Sequence, residues 1–199
     1  MSDQFQALIQ PLRIIRRVEV LTSSNPVPVS SGLYAWYFNE VPPSVPTDGC
    51  VVKDGLTLLY AGISPSSAKS RQSLKRRITY HYQGNAEGST LRLTLGVLLA
   101  EQSGFPLRRV GSGKRLTFTH QGEQWLDDWM DRNARVCWLE HPEPWTIERA
   151  FLETVSLPLN IQDNRHHSFS AQLSEIRSNA KREARQMPIA NEGNQQRRG

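Results

Sequence analysis

Arg77 and His81 stand four residues apart in "RQSLKRRITYHYQ", residues 71–83. That is about one helical turn, so a guanidinium and an imidazole would share a helix face at the rim of the core. Such a pair offers a permanent positive charge and a group that titrates near neutral pH. A solvated basic face is the plainer alternative, because Lys75, Arg76 and Arg77 run consecutively. Glu148 falls in the first turn of a later expected helix, "IERAFLETVS". A carboxylate there can hold a cation, or simply answer the helix dipole. Glu153, five residues on, points roughly 140° away and cannot share a ligand face with it. Asn160 follows "PL", as a turn residue would. Two tyrosines, Tyr34 in "SGLYAWYF" and Tyr60 in "LLYAGIS", each sit near a glycine in an apolar run.

Other chemistries find little support. No GxSxG, HExxH or GxGxxG signature occurs, and "GSGK" (111–114) lacks the spacing of a phosphate loop and reads as a turn. Neighbouring His166 and His167 point different ways on any regular element, and no second cluster completes a metal site. Cys50 and Cys137 are too few for a disulfide framework or a zinc site, and reduced thiols are expected.

The elements that must position these groups follow from periodicity. Residues 32–38 and 56–62 alternate as strands. Tyr34, Trp36 and Phe38 share one face of the first, and Leu56, Leu58 and Tyr60 one face of the second. The long Pro-, Asp- and Gly-rich connection allows an antiparallel pair. Leu74, Ile78 and Tyr82 form one helical stripe in 71–83. Ser89 or Thr90 caps a second, apolar helix that Gly104 ends. Residues 105–120 read as a hairpin, "GEQWLDDWMDRNA" as a helix with Trp125 and Trp129 in the core, and "RVCWLE" (135–140) as a buried strand. Thr146 is the expected cap of the last helix, and Pro158 its stop. The first 20 residues suggest a short helix interrupted by Pro11, with Leu8, Leu12, Ile15 and Val18 or Glu19 on one stripe. Beyond Phe169 apolar residues thin out, and a solvated helix with a frayed end is expected.

The 199 residues carry a net charge of +5, and residues 170–199 alone hold six Lys/Arg against three Asp/Glu. The body is therefore only mildly basic, compatible with a polyanionic partner without requiring one. No apolar run approaches the ~20 residues of a membrane helix. The start lacks the order of a signal peptide, so a cytoplasmic protein is expected.

Taken in order, "GLY" (32–34), "YAG" (60–62), "SLKRRITYH" (73–81) and "IERAFLETVSLPLN" (147–160) resemble the GIY-YIG nuclease family. The resemblance implies an α/β fold: a small, mostly antiparallel three-stranded central sheet flanked by helices. That domain would span residues 31–169, with an inserted hairpin and helix at about 104–132. An N-terminal helix and loop (1–30) would precede it, and a basic, partly disordered tail (170–199) would follow. It implies a catalytic set of Tyr34, Tyr60, Arg77, His81, Glu148 and Asn160. Glu148 would hold one divalent ion, Mg²⁺ or Mn²⁺. Gly62 would leave room beside the second tyrosine, and Gly32 would allow the bend into the first strand. Two departures stand out: Ala61 replaces the family's isoleucine, and Ile63 stands where the family often has Lys or a polar residue.

The implied activity is hydrolysis of DNA phosphodiester bonds, on duplex or single-stranded DNA, by a compact enzyme that could act as a homodimer. Lys75, Arg76, Arg108, Arg109, Lys114 and Arg115 are the phosphate-contact candidates around the site. Tyr34 would position or activate water, and its proton could be drawn off by the ion and Arg77 or passed to His81. An inactive nucleic-acid-binding module and an interaction scaffold are the alternatives on the same fold.

Overall fold

The computed structural model describes residues 3–192. Among them, strands β1 (Ile15–Arg16), β2 (Gly32–Phe38), β3 (Val52–Lys53), β4 (Leu56–Ser64) and β7 (Ala134–Glu140) form one antiparallel sheet in the order β1-β7-β2-β4-β3. Strands β5 (Arg108–Val110) and β6 (Arg115–Thr117) form a separate hairpin. The helices are α1 (Gln6–Ile9), α2 (Arg17–Val20), α3 (Leu74–Gln83), α4 (Thr90–Leu98), α5 (Ala100–Ser103), α6 (His120–Asn133), α7 (Glu148–Thr154) and α8 (Ser170–Gln186). None of them is long and apolar enough to cross a membrane.

The three long strands are those the alternation predicts, and the sheet is wider than the three strands expected. Two short edge strands extend it. A two-residue strand carries no readable period, so only its surroundings reveal it. β3 turns into β4 through Asp54 and Gly55, both with left-handed φ (50° and 77°), a tight hairpin turn that suits this pair.

Strand β2 lies at the centre, and every one of its residues is buried. Its two faces feed two apolar layers. Tyr34, Trp36 and Phe38 pack with α3, α4, α6 and α8, while Leu33, Ala35 and Tyr37 pack with α1 and α7. Burying each large side chain contributes roughly 1.5–3 kcal/mol, which makes this strand the anchor of the fold. Gly32 does more than admit a bend: a Cβ there would collide with the Leu139 carbonyl of β7.

The expected alternation along β4 fails at one point. Trp36 pairs with Tyr60 while Tyr37 pairs with Leu58, so Leu59 is an extra residue and the strand bulges. Leu58 and Leu56 therefore face the α7 layer, and Tyr60 joins Tyr34 on the other.

Helix α3 is set against β2 by its own stripe. Leu74, Ile78 and Tyr82 are fully buried, and the Trp36 and Tyr82 rings meet edge to face with centroids 4.6 Å apart. The Tyr82 hydroxyl donates to the Ala134 carbonyl at 3.1 Å. The Ser73 hydroxyl accepts from the Arg76 amide as the N-cap. Thr146 does not cap α7: its hydroxyl donates to the Glu143 carbonyl within a short 3₁₀ turn, and Ile147 holds the cap position. Near the N-terminus, Leu12 and Val18 are exposed rather than part of a buried stripe, because Pro11 ends α1 and β1 re-aims the chain.

The segment beyond Phe169, expected to be a solvated helix within a partly disordered tail, forms α8 over its first 17 residues and packs onto the body. Leu173 and Ala184 are fully buried against the body, and Arg109 holds the chain beyond the helix by donating to the Met187 carbonyl at 2.7 Å. Residues 193–199, where the frayed end was expected, lie outside the described residues.

A buried ion network joins α3, α4, α6 and the hairpin. Arg92, fully buried on α4, donates to Glu123 at 2.6 Å and to Asp127 at 2.8 Å. It also donates to the His81 and Tyr82 carbonyls at the end of α3. Glu123 in turn accepts from the Ala86 amide and the Thr117 hydroxyl. Removing the cation would leave the Glu123 carboxylate buried and uncompensated, with Asp127 keeping only the Arg17 pair at 3.4 Å, a loss of about 3–5 kcal/mol. Arg92→Ala is therefore expected to lower Tm by roughly 6–20 °C in a thermal melt. A shift within 2 °C would show that the network does not hold these helices together.

Candidate active site

The Tyr34 phenol is almost wholly buried in the middle of β2, and it reaches one wall of a cleft of about 910 Å³. A buried hydroxyl must find partners. His81 Nε2 lies 2.9 Å from Tyr34 Oη, and Arg77 Nε donates to the same oxygen at 3.4 Å. Both come from α3, one turn apart. Gly62, opposite Tyr34 on β4, makes room for the phenol: a Cβ at that position would lie 2.5 Å from Oη. The glycine's contribution is this close approach to Tyr34 rather than space beside Tyr60.

His81 is fully buried, and burial, followed by the charges of Arg77 and Arg92, pushes its pKa well below the ordinary value. The ring is neutral at pH 7, so one nitrogen carries a proton and the other does not. Ser89 decides which. Its hydroxyl oxygen accepts the Arg92 amide as the N-cap of α4, and its own hydrogen has His81 Nδ1 at 2.7 Å as acceptor. Ser89 is fully buried, so the opposite arrangement would strand that hydrogen. The proton of His81 therefore sits on Nε2 and is donated to Tyr34. The phenol oxygen thus accepts two N–H groups, and its own O–H is free to turn into the cleft.

Burial pushes the Tyr34 pKa up, and the Arg77 guanidinium pulls against it. Tyr60, in the same cleft, is raised as well, chiefly by burial and then by Tyr34. Both phenols keep their protons at neutral pH in the free protein. Tyr60 presents its ring toward His81, with centroids 6.3 Å apart.

Glu148 opens α7 and faces the cleft. Its carboxylate makes no hydrogen bond or ion pair with another described residue. Burial raises its pKa to about 7, and the nearby Asp163 carboxylate adds to the rise. Its field also reaches both phenols, raising each. Two neighbouring acids, a half-buried Glu148 without a cationic partner and an exposed Asp163 with Arg149 nearby, are what a divalent cation would relieve. Among the described residues no group of three or more His, Cys, Asp or Glu could enclose an ion, so an ion held here would keep most of its water shell.

Asn160 reaches the cleft too, but both ends of its amide are occupied. Oδ1 accepts from the Ala61 amide at 2.9 Å, and Nδ2 donates to the Ala61 carbonyl at 2.8 Å. With the Leu159 amide bonded to the Leu59 carbonyl, this side chain acts as one more strand residue along the free edge of β4. It pins the turn after α7 against the strand that carries Tyr60 and Gly62.

The six basic residues assigned to phosphate contact lie away from the cleft. Lys75 and Arg76 border a separate hollow on the outer side of α3. Arg108 and Arg109 donate to the Pro188 and Met187 carbonyls and hold the end of α8. Lys114 and Arg115 are exposed at the hairpin turn. Three groups that spacing did not single out do belong here: Ser89, Asp163 and Arg177 of α8. Ser89 was legible only as a helix cap, and Arg177 only as one basic residue in a polar segment. The two departures from the family pattern, Ala61 and Ile63, both border the cleft and both pack with the apolar layer on the α7 side of the sheet.

An acid held near neutral pKa weakens the fold as it ionises. The folded-state pKa of Glu148 lies above its unfolded value. Its burden is therefore absent below about pH 4.5, builds as pH rises from there, and is nearly complete above about 7. Glu148→Gln is expected to raise Tm by roughly 2–6 °C at pH 8 and hardly at pH 4. Equal melting of the two proteins at pH 8 would contradict the strained carboxylate.

No curated protein and no solved structure matched the chain. A family model, the GIY-YIG catalytic domain, matches residues 32–179, from the first residue of β2 to the middle of α8. That family is one of nucleases that typically use divalent metal ions and act on DNA. The match covers well over half of the chain, which therefore belongs to the GIY-YIG family.

Proposed function

We propose that this protein is a divalent-metal-dependent endonuclease that hydrolyses phosphodiester bonds in DNA. One observation carries the reading: a phenol held by two N–H donors, a guanidinium and an unpaired carboxylate line one cleft, although they come from β2, α3 and α7.

Phosphodiester hydrolysis needs a water aligned opposite the leaving oxygen and positive charge where negative charge grows. Arg77 supplies a permanent charge. Its Nη1 is anchored to the Gly88 carbonyl at 3.0 Å, which fixes the guanidinium plane and leaves Nη2 for a phosphate oxygen. Glu148, with Asp163 beside it, would hold Mg²⁺ or Mn²⁺, which when bound supplies Lewis acidity and steadies the leaving group. Tyr34 turns its oxygen to the attacking water. A raised phenol pKa makes ionisation costly, and the His81 and Arg77 donors lessen that cost by stabilising the phenolate. Tyr34 gives its proton to solvent through the cleft; the ionised oxygen then takes one from the attacking water as the new P–O bond forms, and the old P–O bond breaks with its leaving oxygen protonated by solvent. His81 thus serves as a donor that steadies Tyr34, not as the acceptor of its proton. Tyr60 walls the cleft, and Asn160 holds the walls in register.

The test is cleavage of supercoiled, linear duplex and single-stranded DNA with Mg²⁺ or Mn²⁺ by the wild type, Glu148→Ala and Arg77→Ala. Cutting by the wild type and loss of at least 100-fold in each variant is expected, since each removes a charge that acts in the transition state. At low metal concentration the wild-type rate should climb with pH to half its maximum near pH 7, as Glu148 ionises. That midpoint should move down as metal is added. Undiminished cutting by both variants would overturn this assignment.

A further inference from the structure

The cleft holds a guanidinium that the proposed chemistry does not use. Arg177 extends from α8, the helix after the motif-bearing segments, into the same cleft as Tyr34, Tyr60 and Glu148. The helix that carries it is fixed, with Leu173 fully buried one turn before and Ala184 two turns after. Arg177 is itself partly buried, and that burial lowers its pKa, with only the Tyr60 phenol working the other way. Lys181, one turn further along, adds a like charge. No hydrogen bond or ion pair joins the Arg177 guanidinium to another described residue.

A partly desolvated cation with no partner is costly unless something else supplies the anion. The other charges of the cleft do not. Arg149 and Glu153 pair with each other at 2.9 Å. Glu148 and Asp163 repel and are suited to a metal ion. Arg77 is tied to Tyr34 and the Gly88 carbonyl. Arg177, by contrast, keeps all five N–H donors for a ligand. Its charge is felt at Tyr60, on the far strand of the phenol pair, so it stands on the Tyr60 side of the cleft. Exposed Arg165 lies on the same cleft and adds to the positive field.

We infer that Arg177 is a second phosphate-binding residue, which grips a backbone phosphate next to the one held by Arg77 on the Tyr60 side. The ligand it requires is a polyanion with adjacent phosphodiesters, which a strand of nucleic acid supplies and a single phosphate group does not. This makes α8 part of the substrate-binding surface. The inference rests on the nuclease reading of the cleft and deepens it.

The test is fluorescence-anisotropy binding of a labelled DNA duplex by the full chain, in EDTA to prevent cutting, from 50 to 200 mM salt. Arg177→Gln should weaken binding about ten-fold, the effect of losing one charged hydrogen-bonded contact. It should also reduce the slope of log K against log salt by about one. Arg177→Met, which keeps the apolar stem, should behave as Arg177→Gln does, and Arg177→Lys should recover part of the affinity and all of the slope. Thermal melts of Arg177→Gln and Arg177→Met should match or exceed the wild type, since an unpaired cation has gone, and Arg177→Lys, which keeps a cation, should match it. Wild-type binding with an unchanged affinity and slope in Arg177→Gln would overturn this inference and leave the nuclease reading standing. Failure of the wild type to bind at 50 mM salt would overturn both.

Discussion

Everything in the cleft depends on one buried hydroxyl. Tyr34 stands in the central strand of the sheet, 2% exposed, so the inner side of its oxygen must find partners in the protein while the O–H alone reaches the cleft. Each partner imposes a further constraint. His81 must be neutral and present Nε2–H, so Ser89 must hold Nδ1. Arg77 must lie one turn before His81, so α3 must sit in one rotation against β2, which the Trp36–Tyr82 contact and the buried stripe of Leu74, Ile78 and Tyr82 enforce. Gly62 must lack a side chain, or the phenol has no place. Arg92 closes the chain of dependence: it holds the end of α3 and the start of α4, the two helices that carry His81 and Ser89, to the carboxylates of α6.

This arrangement divides the protein into parts under different pressures. Around β2 and the Arg92 network, buried charge is matched and apolar surface is covered on both faces of the sheet. Around the cleft the opposite holds. Glu148 stays half-buried without a cation, Asp163 faces it with like charge, and Arg177 is desolvated without an anion. Unmet charges of both signs, gathered in one concavity, are what a substrate that brings both phosphates and a metal ion would satisfy. The costs fall on α7, α8 and the Asn160 turn, which the sheet and the network hold in place.

Much of the fold was legible from periodicity. The three long strands, the α3 stripe, the glycine at the end of α5 and the hairpin around Gly111–Gly113 each follow from a local pattern. What was hidden needed tertiary information. A bulge at Leu59 breaks the two-residue period within β4, so alternation put Tyr60 and Leu58 on one face. Arg92 sits among leucines in "TLRLTLG", a sign of burial whose partners lie 31 and 35 residues away. α8 looked solvated because only Leu173 and Ala184 anchor it fully, and so Arg177 passed as one more exposed base. The order of short motifs pointed to Tyr34, Arg77, His81 and Glu148. No spacing could say that Asn160 spends its amide on the backbone of Ala61, or that His81 donates rather than accepts.

The role of His81 is therefore where the chemistry is decided, and it can be read without substrate or metal. ¹⁵N NMR of the histidine-labelled full chain reports the protonation of each ring nitrogen of His81, with Ser89→Ala as the reference for assignment. A neutral ring with its proton on Nε2 from pH 6 to 8 is the expected result. A proton on Nδ1 with Nε2 bare would make His81 the partner that receives the Tyr34 proton and would contradict the phenol held by two donors.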